Sequence, residues 1–460
     1  MTDLYTKVVS GFIFPLHEKL KKHATVAVRD GLEKTQWWGK DDLEQLRLAR
    51  LRELLIQAQH HVPYYAKLFH EISFDPGKIN SLVDLARLPL LTKSKIRAHL
   101  EQLKADNAQG LARFNTGGSS GEPLIFYIGN QRVSHDVAAK WRATRWWDVD
   151  IGDREIVLWG SPIELNAQGR VRSFRDKLLR TKLLPAFEMS EPKLDEFLQA
   201  IRSARPKMLF GYPSSLALLA RHAQSKNIRV DNLGIKVAFV TSERLYDNQR
   251  EQIESIFGCR VANGYGGRDA GFIAHECPAG GMHITAEDII VEIVDEQGVP
   301  LPPGSPGEVV VTHLATGDFP FIRYRTGDVA ILSDKACSCG RGLPLIQEIQ
   351  GRTTDFIVAS DGTLMHGLAL IYVVRDLPGV QQFKIIQENL YATRILLVTD
   401  ATFKDTLITT IKSDVMRRLG ADVKVDVEIV THIAKEASGK YRYVISHVSS
   451  PEIQNRIPTR

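Results

Sequence analysis

The sequence predicts an α/β fold built mainly on a parallel sheet, and three observations support this prediction. Short β-rich runs alternate with helical stretches after Gly110, as in parallel α/β layers. From Asp288 the strands follow one another closely across Gly/Pro turns such as 302–304, which is typical of an antiparallel or barrel-like sheet. Beyond about Gly351, strands surround one good helix, as in a small α+β domain.

The elements are expected in three parts. Residues 1–105 are predicted to be mostly helical, with leucines at helical spacing from Asp42 to His61, and 106–350 carry the α/β core. Residues 351–460 form the small domain. The predicted strands cover Leu124–Ile128, Ile156–Trp159, Met208–Phe210, Val237–Val240, Arg260–Ala262, Asp288–Val294, Glu308–Leu314, Asp328–Leu332, Phe383–Gln387, Arg394–Thr399 and Val423–Ile429, and the predicted helices cover Ser214–Ser225, Tyr246–Phe257 and Thr406–Leu419.

Composition excludes several classes of protein. The 460 residues amount to two or three domains, and 43% hydrophobic with 25% charged residues rules out a disordered or fibrous chain. A net charge of +5 is small for a nucleic-acid binder of this size. Four cysteines are too few to staple the chain with disulfides. We therefore expect a cytoplasmic protein without a nucleic-acid partner.

The N-terminal apolar stretch from Val8 to Leu16 is interrupted by Gly11 and Pro15. It is too short to span a bilayer, and no small-residue cleavage site follows it. We expect no stable membrane insertion, while a peripheral membrane contact stays open as an alternative.

A glycine-rich loop at 116–123, TGGSSGEP, has the composition of a phosphate-binding loop, because glycines let backbone N–H groups approach an anion. It is not a Walker A loop, since Glu122 stands where lysine is required. The loop also matches G-x-S-x-G, with Ser119 as the nominal nucleophile of an α/β-hydrolase. That motif needs a helix after it, whereas a strand is predicted here. The hydrolase and a plain surface turn remain alternatives.

Four later motifs follow this loop in order: 264–269 (GYGGRD), 324–328 (YRTGD), 351–355 (GRTTD) and 438–442 (SGKYR). Together they resemble the ordered motifs of adenylate-forming enzymes, the acyl-CoA synthetase superfamily. Segments 61–65 (HVPYY), 211–214 (GYPS), 241–243 (TSE) and 281–283 (GMH) resemble its phenylacetate-CoA ligase branch, including the CapK-like members. The resemblance implies a large domain of layered α/β sheets with a distorted β-barrel, and a small mobile C-terminal lid domain.

The resemblance also implies an activity. ATP, with Mg²⁺, activates a small carboxylic acid, aromatic acids among the candidates, as acyl-AMP, and the acyl group passes to CoA. An amine or sugar acceptor, in capsule, polysaccharide or natural-product biosynthesis, is the alternative. A homodimer is compatible with both. In-line displacement at phosphorus requires neutralised phosphate charge and positioned reactants.

By resemblance, each motif has a role. Tyr265 stacks on adenine, Asp269 holds Mg²⁺, and Arg268 places a cation near the phosphates. Asp328 accepts hydrogen bonds from the ribose hydroxyls, and Lys440 reaches the α-phosphate from the small domain. The expected sites are catalytic (Lys440, Asp269, Arg268), ATP-binding (Thr116, Gly117, Gly118, Ser119, Ser120, Gly121, Ser242, Glu243, Gly264, Tyr265, Gly266, Asp328, Arg352) and substrate-binding (Tyr212, Pro213, Tyr265, Gly266). For Ser242 and Glu243, capping of the helix that follows them is the alternative.

Two short pairs, His275-x-Cys277 and Cys337-x-Cys339, raise the question of a metal. If the Tyr265 and Tyr324 segments flank one site, as the resemblance implies, the pairs supply three thiolates and one imidazole to a structural Zn²⁺. His283 competes with His275 as the fourth ligand, and free cysteines are the alternative. Cys259 is expected in the core.

Overall fold

The computed structural model describes residues 3–108, 110–116, 124–159, 175–186, 189, 191–352, 356–361, 364–366, 368–375, 377–434 and 442–448. Contacts within the chain divide it into two compact units, Met1–Ile349 and Gln350–Arg460.

The first unit begins with helices. They are α1 (Leu4–Val8), a π-helical turn (Val9–Ile13), α2 (Phe14–Leu20), α3 (Thr25–Thr35), α4 (Lys40–His61), α5 (Pro63–Glu71), two 3₁₀ turns (Pro76–Lys78 and Leu82–Arg87) and α6 (Lys93–Ala98). Helix α4 buries Leu43, Leu51, Leu54 and Leu55, and it ends at His61 because Pro63 starts a new helix. Among the described residues, no helix combines the length and the apolar composition needed to cross a bilayer.

A small hairpin and one large sheet follow. The hairpin pairs β1 (Ala112–Asn115) with β2 (Ile125–Ile128). The large sheet has eleven strands in the order β10-β11-β12-β13-β9-β8-β7-β6-β5-β3-β4. Its strands are β3 (Glu155–Trp159), β4 (Thr181–Pro185), β5 (Met208–Gly211), β6 (Val237–Thr241), β7 (Arg260–Gly267), β8 (Gly271–Glu276), β9 (Met282–Ile284), β10 (Ile289–Val294), β11 (Pro306–His313), β12 (Tyr324–Ser333) and β13 (Leu345–Arg352).

The two ends of the large sheet differ in strand direction. Strands β4, β3, β5, β6 and β7 are parallel, whereas β7–β8, β8–β9 and β10–β11–β12 are antiparallel. The antiparallel strands predicted from Asp288 onward therefore extend the same sheet. Because β5 and β6 are buried at every position, both faces of the parallel part are covered.

Helices cover the parallel part. They are α7 (Asn130–Arg145), α8 (Glu191–Ala204), α9 (Pro213–Ser225) and α10 (Asp247–Phe257). Apolar side chains of α8, α9 and α10, such as Leu198, Leu219 and Ile253, form one core cluster with Leu209 and Val240 of the sheet. A second cluster joins the N-terminal helices to the antiparallel strands. Each cluster packs helices against a different part of the sheet.

The second unit is a small α+β structure. It contains a hairpin of β14 (Phe356–Val358) and β15 (Leu364–His366), helices α11 (Leu368–Val374) and α12 (Thr406–Leu419), and strands β16 (Val380–Asn389), β17 (Ala392–Thr399), β18 (Lys424–Ile429) and β19 (Val444–Ser446). The last four form a sheet in the order β18-β17-β16-β19. Helix α12 buries Ile411, Val415 and Leu419.

Candidate active site

The carboxyl ends of the parallel strands bring several motif residues to one edge of the sheet. Tyr212 follows β5, Ser242 follows β6, and Tyr265 lies in β7. In an open parallel sheet, ligands bind at this edge. The sequence motifs at 211–214, 241–243 and 264–269, which are far apart along the chain, are therefore neighbours here.

Two tyrosine–carboxylate pairs connect the 264–269 motif to the 324–328 motif. The Tyr265 hydroxyl donates to Oδ2 of Asp328 at 2.9 Å. In the opposite sense, the Tyr324 hydroxyl donates to Oδ2 of Asp269 at 2.6 Å. Both carboxylates are half-buried and both tyrosine rings are buried. We call these the crossed pairs, because each motif supplies one donor and one acceptor.

Asp269 sits in the tight turn between β7 and β8, and Gly266 makes this turn geometrically feasible. A Cβ atom at Gly266 would lie 2.3 Å from the carbonyl oxygen of Gly271, which is far inside van der Waals contact. Only glycine allows the two strands to approach so closely. Gly266 therefore acts on the site through the backbone, by setting where Arg268 and Asp269 stand.

Arg268 links the turn to the glycine-rich loop. Its Nη1 donates to the carbonyl of Asn115, the last residue of β1. Its own carbonyl accepts a hydrogen bond of 2.9 Å from Nη2 of Arg132, a buried residue of α7. The contribution of Arg132 was not predicted, because this contact spans 136 residues and has no signal in the local sequence.

Residues 117–123 of the glycine-rich loop, including Gly117, Gly118, Ser119, Ser120 and Gly121, lie outside the described residues. Thr116 is described: its hydroxyl accepts the N–H of Leu124 at 2.9 Å, so it closes the base of the β1–β2 hairpin. The loop thus joins two strands. A nucleophile elbow requires a helix after the serine, and the hydrolase alternative for Ser119 is wrong in this respect.

Glu243 caps a helix, although not the one expected. Its Oε2 accepts the N–H of Ser214 at the start of α9, while the Tyr246 N–H at the start of α10 is bound by the side chain of Gln249. The capping alternative for Ser242 and Glu243 is therefore wrong about the helix. Ser242 has φ +71°, a left-handed conformation that is uncommon for a residue with a side chain.

An aromatic cluster lies at the same edge. The Tyr212 ring stacks on Trp159, at the end of β3, with ring centroids 4.5 Å apart, and Phe210 packs against Trp159. Pro213 occupies the first turn of α9, where it needs no hydrogen-bond partner for its nitrogen. The other three tryptophans of this region make hydrogen bonds through their indole N–H groups. Trp141 donates to Asp150, Trp146 to Gln36 and Trp147 to the carbonyl of Glu276.

Two predicted site residues, Arg352 and Lys440, belong to the second unit. Arg352 is the last residue of β13, in the second unit, and its side chain is not described. Lys440 lies outside the described residues.

A second constellation brings three cysteines and a histidine together. One ligand atom from each of Cys277, His283, Cys337 and Cys339 lies within 4.8 Å of every other. The Cys277 and Cys337 sulfurs are 3.7 Å apart, and the Cys339 sulfur is 3.2 Å from Nε2 of His283. We call this the cysteine cluster.

The fourth member of the cluster is His283, and the prediction of His275 is wrong. Strand β8 ends at Glu276, so Cys277 belongs to a turn and does not continue the alternation that includes His275. The His275 ring instead stacks on Phe272, with centroids 5.5 Å apart. Burial lowers the pKa of His275 to about 3, so its ring is neutral at neutral pH.

Neighbouring residues pack closely around the cysteine cluster and orient its histidine. A Cβ atom at Gly281 would lie 2.6 Å from the Cys337 sulfur, so this position admits no side chain. Nδ1 of His283 faces the carbonyl of Leu343 at 3.4 Å, leaving Nε2 directed at the sulfurs. Burial lowers the pKa of His283 to about 4, which keeps the imidazole neutral. Cys259 lies in a separate apolar core, as expected.

Family models match both units. Residues 181–316 match the AMP-binding enzyme family, and residues 357–447 match the CapK C-terminal domain. Protein CapK from Staphylococcus aureus is 23% identical over 419 residues, which is 89% of this chain and 90% of that protein. These matches support the adenylate-forming superfamily, in the branch of CapK and the phenylacetate-CoA ligases.

Two CoA ligases also resemble this chain, one in sequence and one in fold. The phenylacetate-coenzyme A ligase of Thermus thermophilus is 27% identical over 332 residues, covering 69% of this chain and 72% of that protein. The crystal structure of 2-hydroxyisobutyryl-CoA ligase in a postadenylation state shares the fold, with a TM-score of 0.73 at 20% identity over 92% of this chain and 93% of that one. The predicted fold class and family are thereby confirmed.

Proposed function

We propose that this chain activates a small carboxylic acid with ATP as acyl-AMP and then transfers the acyl group to CoA. The observation that carries the proposal is the set of crossed pairs, which unites the two motifs at the ligand-binding edge of the sheet. Phenylacetate-CoA ligases among the relatives support the same conclusion.

The nucleotide would be held by residues around the crossed pairs. We assign the ribose hydroxyls to Asp328, since a half-buried carboxylate accepts two hydroxyl hydrogen bonds well. Asp269 offers the hard oxygen ligand that Mg²⁺ prefers. Tyr265, with Gly264 on its strand, would face adenine, and Ser242 and Glu243 would complete the base pocket. The loop from Thr116 to Gly121 would bind the phosphates through its N–H groups.

The chemistry has two steps. A carboxylate oxygen of the acid attacks the α-phosphorus, forming the acyl-AMP bond as pyrophosphate leaves. The CoA thiolate then attacks the acyl carbon, and AMP leaves with the electron pair of the broken bond. We assign Lys440 to the charge on the reacting carboxylate and phosphate, and Arg268 to the phosphates. Arg352 would lie where the small unit joins the large one.

We propose that the acid is aromatic. Trp159 and Tyr212 stack at the carboxyl edge, at the ends of β3 and β5 and next to Pro213, and flat aromatic walls favour a flat substrate. An amine or sugar acceptor is the second candidate. The likeness to CapK, which extends over 89% of this chain, is compatible with such an acceptor. Cysteines without disulfides and the expected substrates fit the cytoplasm, where we place this protein.

An acid panel tests the proposal. Purified protein is incubated with ATP, Mg²⁺ and aryl, hydroxyaryl, short aliphatic or amino acids, and acid-dependent pyrophosphate release and hydroxamate formation are measured. We expect turnover with at least one aryl acid, and thioester only when CoA is present. Product with an amine and no CoA would favour the second acceptor.

Two variants separate the proposal from a hydrolase. Lys440→Ala should lower adenylation by at least about 100-fold, whereas Ser119→Ala should retain most of it. Loss of activity in Ser119→Ala alone, or no acid-dependent turnover with any acid, would contradict the proposal.

We also propose that the cysteine cluster binds a structural Zn²⁺. Tetrahedral Zn²⁺ with Zn–S bonds of about 2.3 Å places sulfurs about 3.8 Å apart, close to the 3.7 Å between Cys277 and Cys337. Three thiolates and one neutral imidazole make a closed structural site. The Leu343 carbonyl would orient the imidazole from behind, as partners of metal-bound histidines do.

Metal analysis tests the zinc. Wild-type protein should contain about one zinc per chain, and Cys337→Ser and Cys339→Ser should contain little. Cys259→Ala is the matched control, because this buried cysteine lies outside the cluster, and it should retain its zinc. Zinc far below one equivalent in the wild type would exclude the site without affecting the adenylation proposal.

A further inference from the structure

The outward face of the first helices is apolar. Leu4, Val8, Phe12, Leu16 and Leu20 are exposed to 76%, 46%, 68%, 48% and 77%, and they recur every four residues. Isolated exposed apolar side chains are ordinary, but a continuous row of large ones marks an interaction surface. We call these five side chains the apolar stripe.

The opposite face of the same helices is fixed to the large unit. The Thr6 hydroxyl donates to Asp153 at 2.8 Å, and the Phe14 ring packs edge-on against Trp141, with centroids 5.1 Å apart. Val9 fits under Gly152, where a Cβ atom would lie 2.6 Å from the Val9 Cβ. Turning the apolar stripe inward would break these contacts, so the stripe is held outward.

The π-helical turn at Val9–Ile13 helps to align the stripe. In a regular α-helix, residues four apart drift by about 40° around the axis. A π turn is wider, so it offsets part of this drift and keeps the outward side chains in a row.

The charges beside the stripe are positive apart from Asp3, an exposed residue whose carboxylate pairs with Arg180 at 2.7 Å. The exposed charged residues between 4 and 24 are all lysines: Lys7, Lys19, Lys21 and Lys22. The one acid in this range, Glu18, is 4% exposed and accepts a hydrogen bond from the Thr25 hydroxyl on the inner side. The outer face therefore combines apolar side chains with positive charge.

The combination of apolar side chains and positive charge distinguishes two candidate partners for this surface, a second copy of the chain and a membrane. A symmetric contact with a second copy would bring the same patch against itself, so that two positively charged patches would face each other. A bilayer with anionic lipids offers apolar chains to the stripe and negative headgroups to the lysines. We propose that residues 4–22 dock this protein on the surface of an anionic membrane, with the helices lying in the interfacial plane.

Vesicle co-sedimentation tests this proposal, with full-length protein and phosphatidylcholine vesicles made with or without phosphatidylglycerol. The wild type should bind the anionic vesicles more strongly, and high salt should weaken the binding. Phe12→Ser combined with Leu16→Ser should lower the partition coefficient by about 100-fold. Replacing Lys19, Lys21 and Lys22 by Gln should lower it by a similar factor, about fivefold per lysine.

Val83→Ser is the matched control, because Val83 is 76% exposed in a 3₁₀ turn away from the stripe. It should bind as the wild type does, and all variants should keep the wild-type melting temperature, since they change exposed side chains. No binding to anionic vesicles, or equal binding by the stripe variant and Val83→Ser, would overturn the proposal. A dimer in light scattering that the stripe variant abolishes would assign the surface to a second copy instead.

Discussion

The crossed pairs and the cysteine cluster belong to the same sheet but satisfy their polar groups in opposite ways. In the crossed pairs, each carboxylate already accepts a hydrogen bond from a tyrosine of the other motif. In the cysteine cluster, four ligand atoms face one another around a common point. The first arrangement can exchange a protein partner for a ligand, whereas the second has the geometry of a site for a single ion.

The two sites also share chain segments. Strand β8 starts just after Asp269 and ends just before Cys277. Strand β12 carries Tyr324 and Asp328, and Cys337 follows its end. Six residues of strand span about 20 Å. An ion in the cluster would therefore tie together the far ends of the strands that present the crossed pairs.

The largest expected effect is on the crossed pairs themselves. Asp269→Asn removes the charge that we assign to Mg²⁺ while keeping the size and the acceptor oxygen for Tyr324. We expect kcat/KM for ATP to fall by about 100- to 1,000-fold, with zinc content and melting temperature unchanged. Near wild-type adenylation in this variant would remove Asp269 from the proposed mechanism.

The histidine of the cysteine cluster gives the next largest effect. If four ligands share about 12 kcal/mol of zinc binding, His283→Asn should lose about 3 kcal/mol, or more than 100-fold in affinity. His275→Asn is the matched variant, because His275 lies on the paired strand outside the cluster. It should keep its zinc. Competition with a chromophoric chelator measures both affinities, and equal losses would contradict the assignment of His283.

Gly281 tests the shape of the cluster without changing its ligands. Gly281→Ala places a methyl group 2.6 Å from the Cys337 sulfur, so we expect zinc affinity to fall by about tenfold. Gly31→Ala, at a helix position with nothing within 4 Å of the added carbon, is the control. The same chelator assay should find the control unchanged, and an unchanged Gly281→Ala would show that the cluster has room to spare.

The smallest effect should come from the tyrosine hydroxyls. Tyr265→Phe and Tyr324→Phe each remove one hydrogen bond to a carboxylate, worth about 1 kcal/mol, so kcat/KM for ATP should fall about fivefold. The double variant should show coupling if the crossed pairs act as one unit. Strictly additive losses would show that the pairs are independent.

Local sequence patterns predicted much of the fold. Helix Thr406–Leu419 was predicted with the bounds that the structure has, and the buried strands β5 and β6 were each predicted to within one residue. Strands β1 and β4 were missed because they are short and mostly exposed or half-buried, so tertiary pairing decides them. Strand β8 was also missed, although five of its six residues are buried. The apolar stripe had a signal, the recurrence every four residues, but the sequence does not say which face is outward.

For the candidate site, too, the sequence predicted the residues but not all of their contacts. Motif order pointed to Tyr265, Asp269 and Asp328, but their pairing with the opposite motif depends on how the strands are arranged in the sheet. His275 was preferred to His283 because it lies two residues from Cys277, as Cys337 lies two residues from Cys339. The end of β8 at Glu276 breaks that pattern, and such an end is set by the turn that follows.

The crossed pairs also constrain how this sequence can change. A replacement at Tyr265 leaves the Asp328 carboxylate without that donor, and a replacement at Tyr324 does the same to Asp269. Tolerated changes at these four positions should therefore come in matched pairs across the two motifs. We therefore expect the two motifs, about sixty residues apart in the chain, to change together.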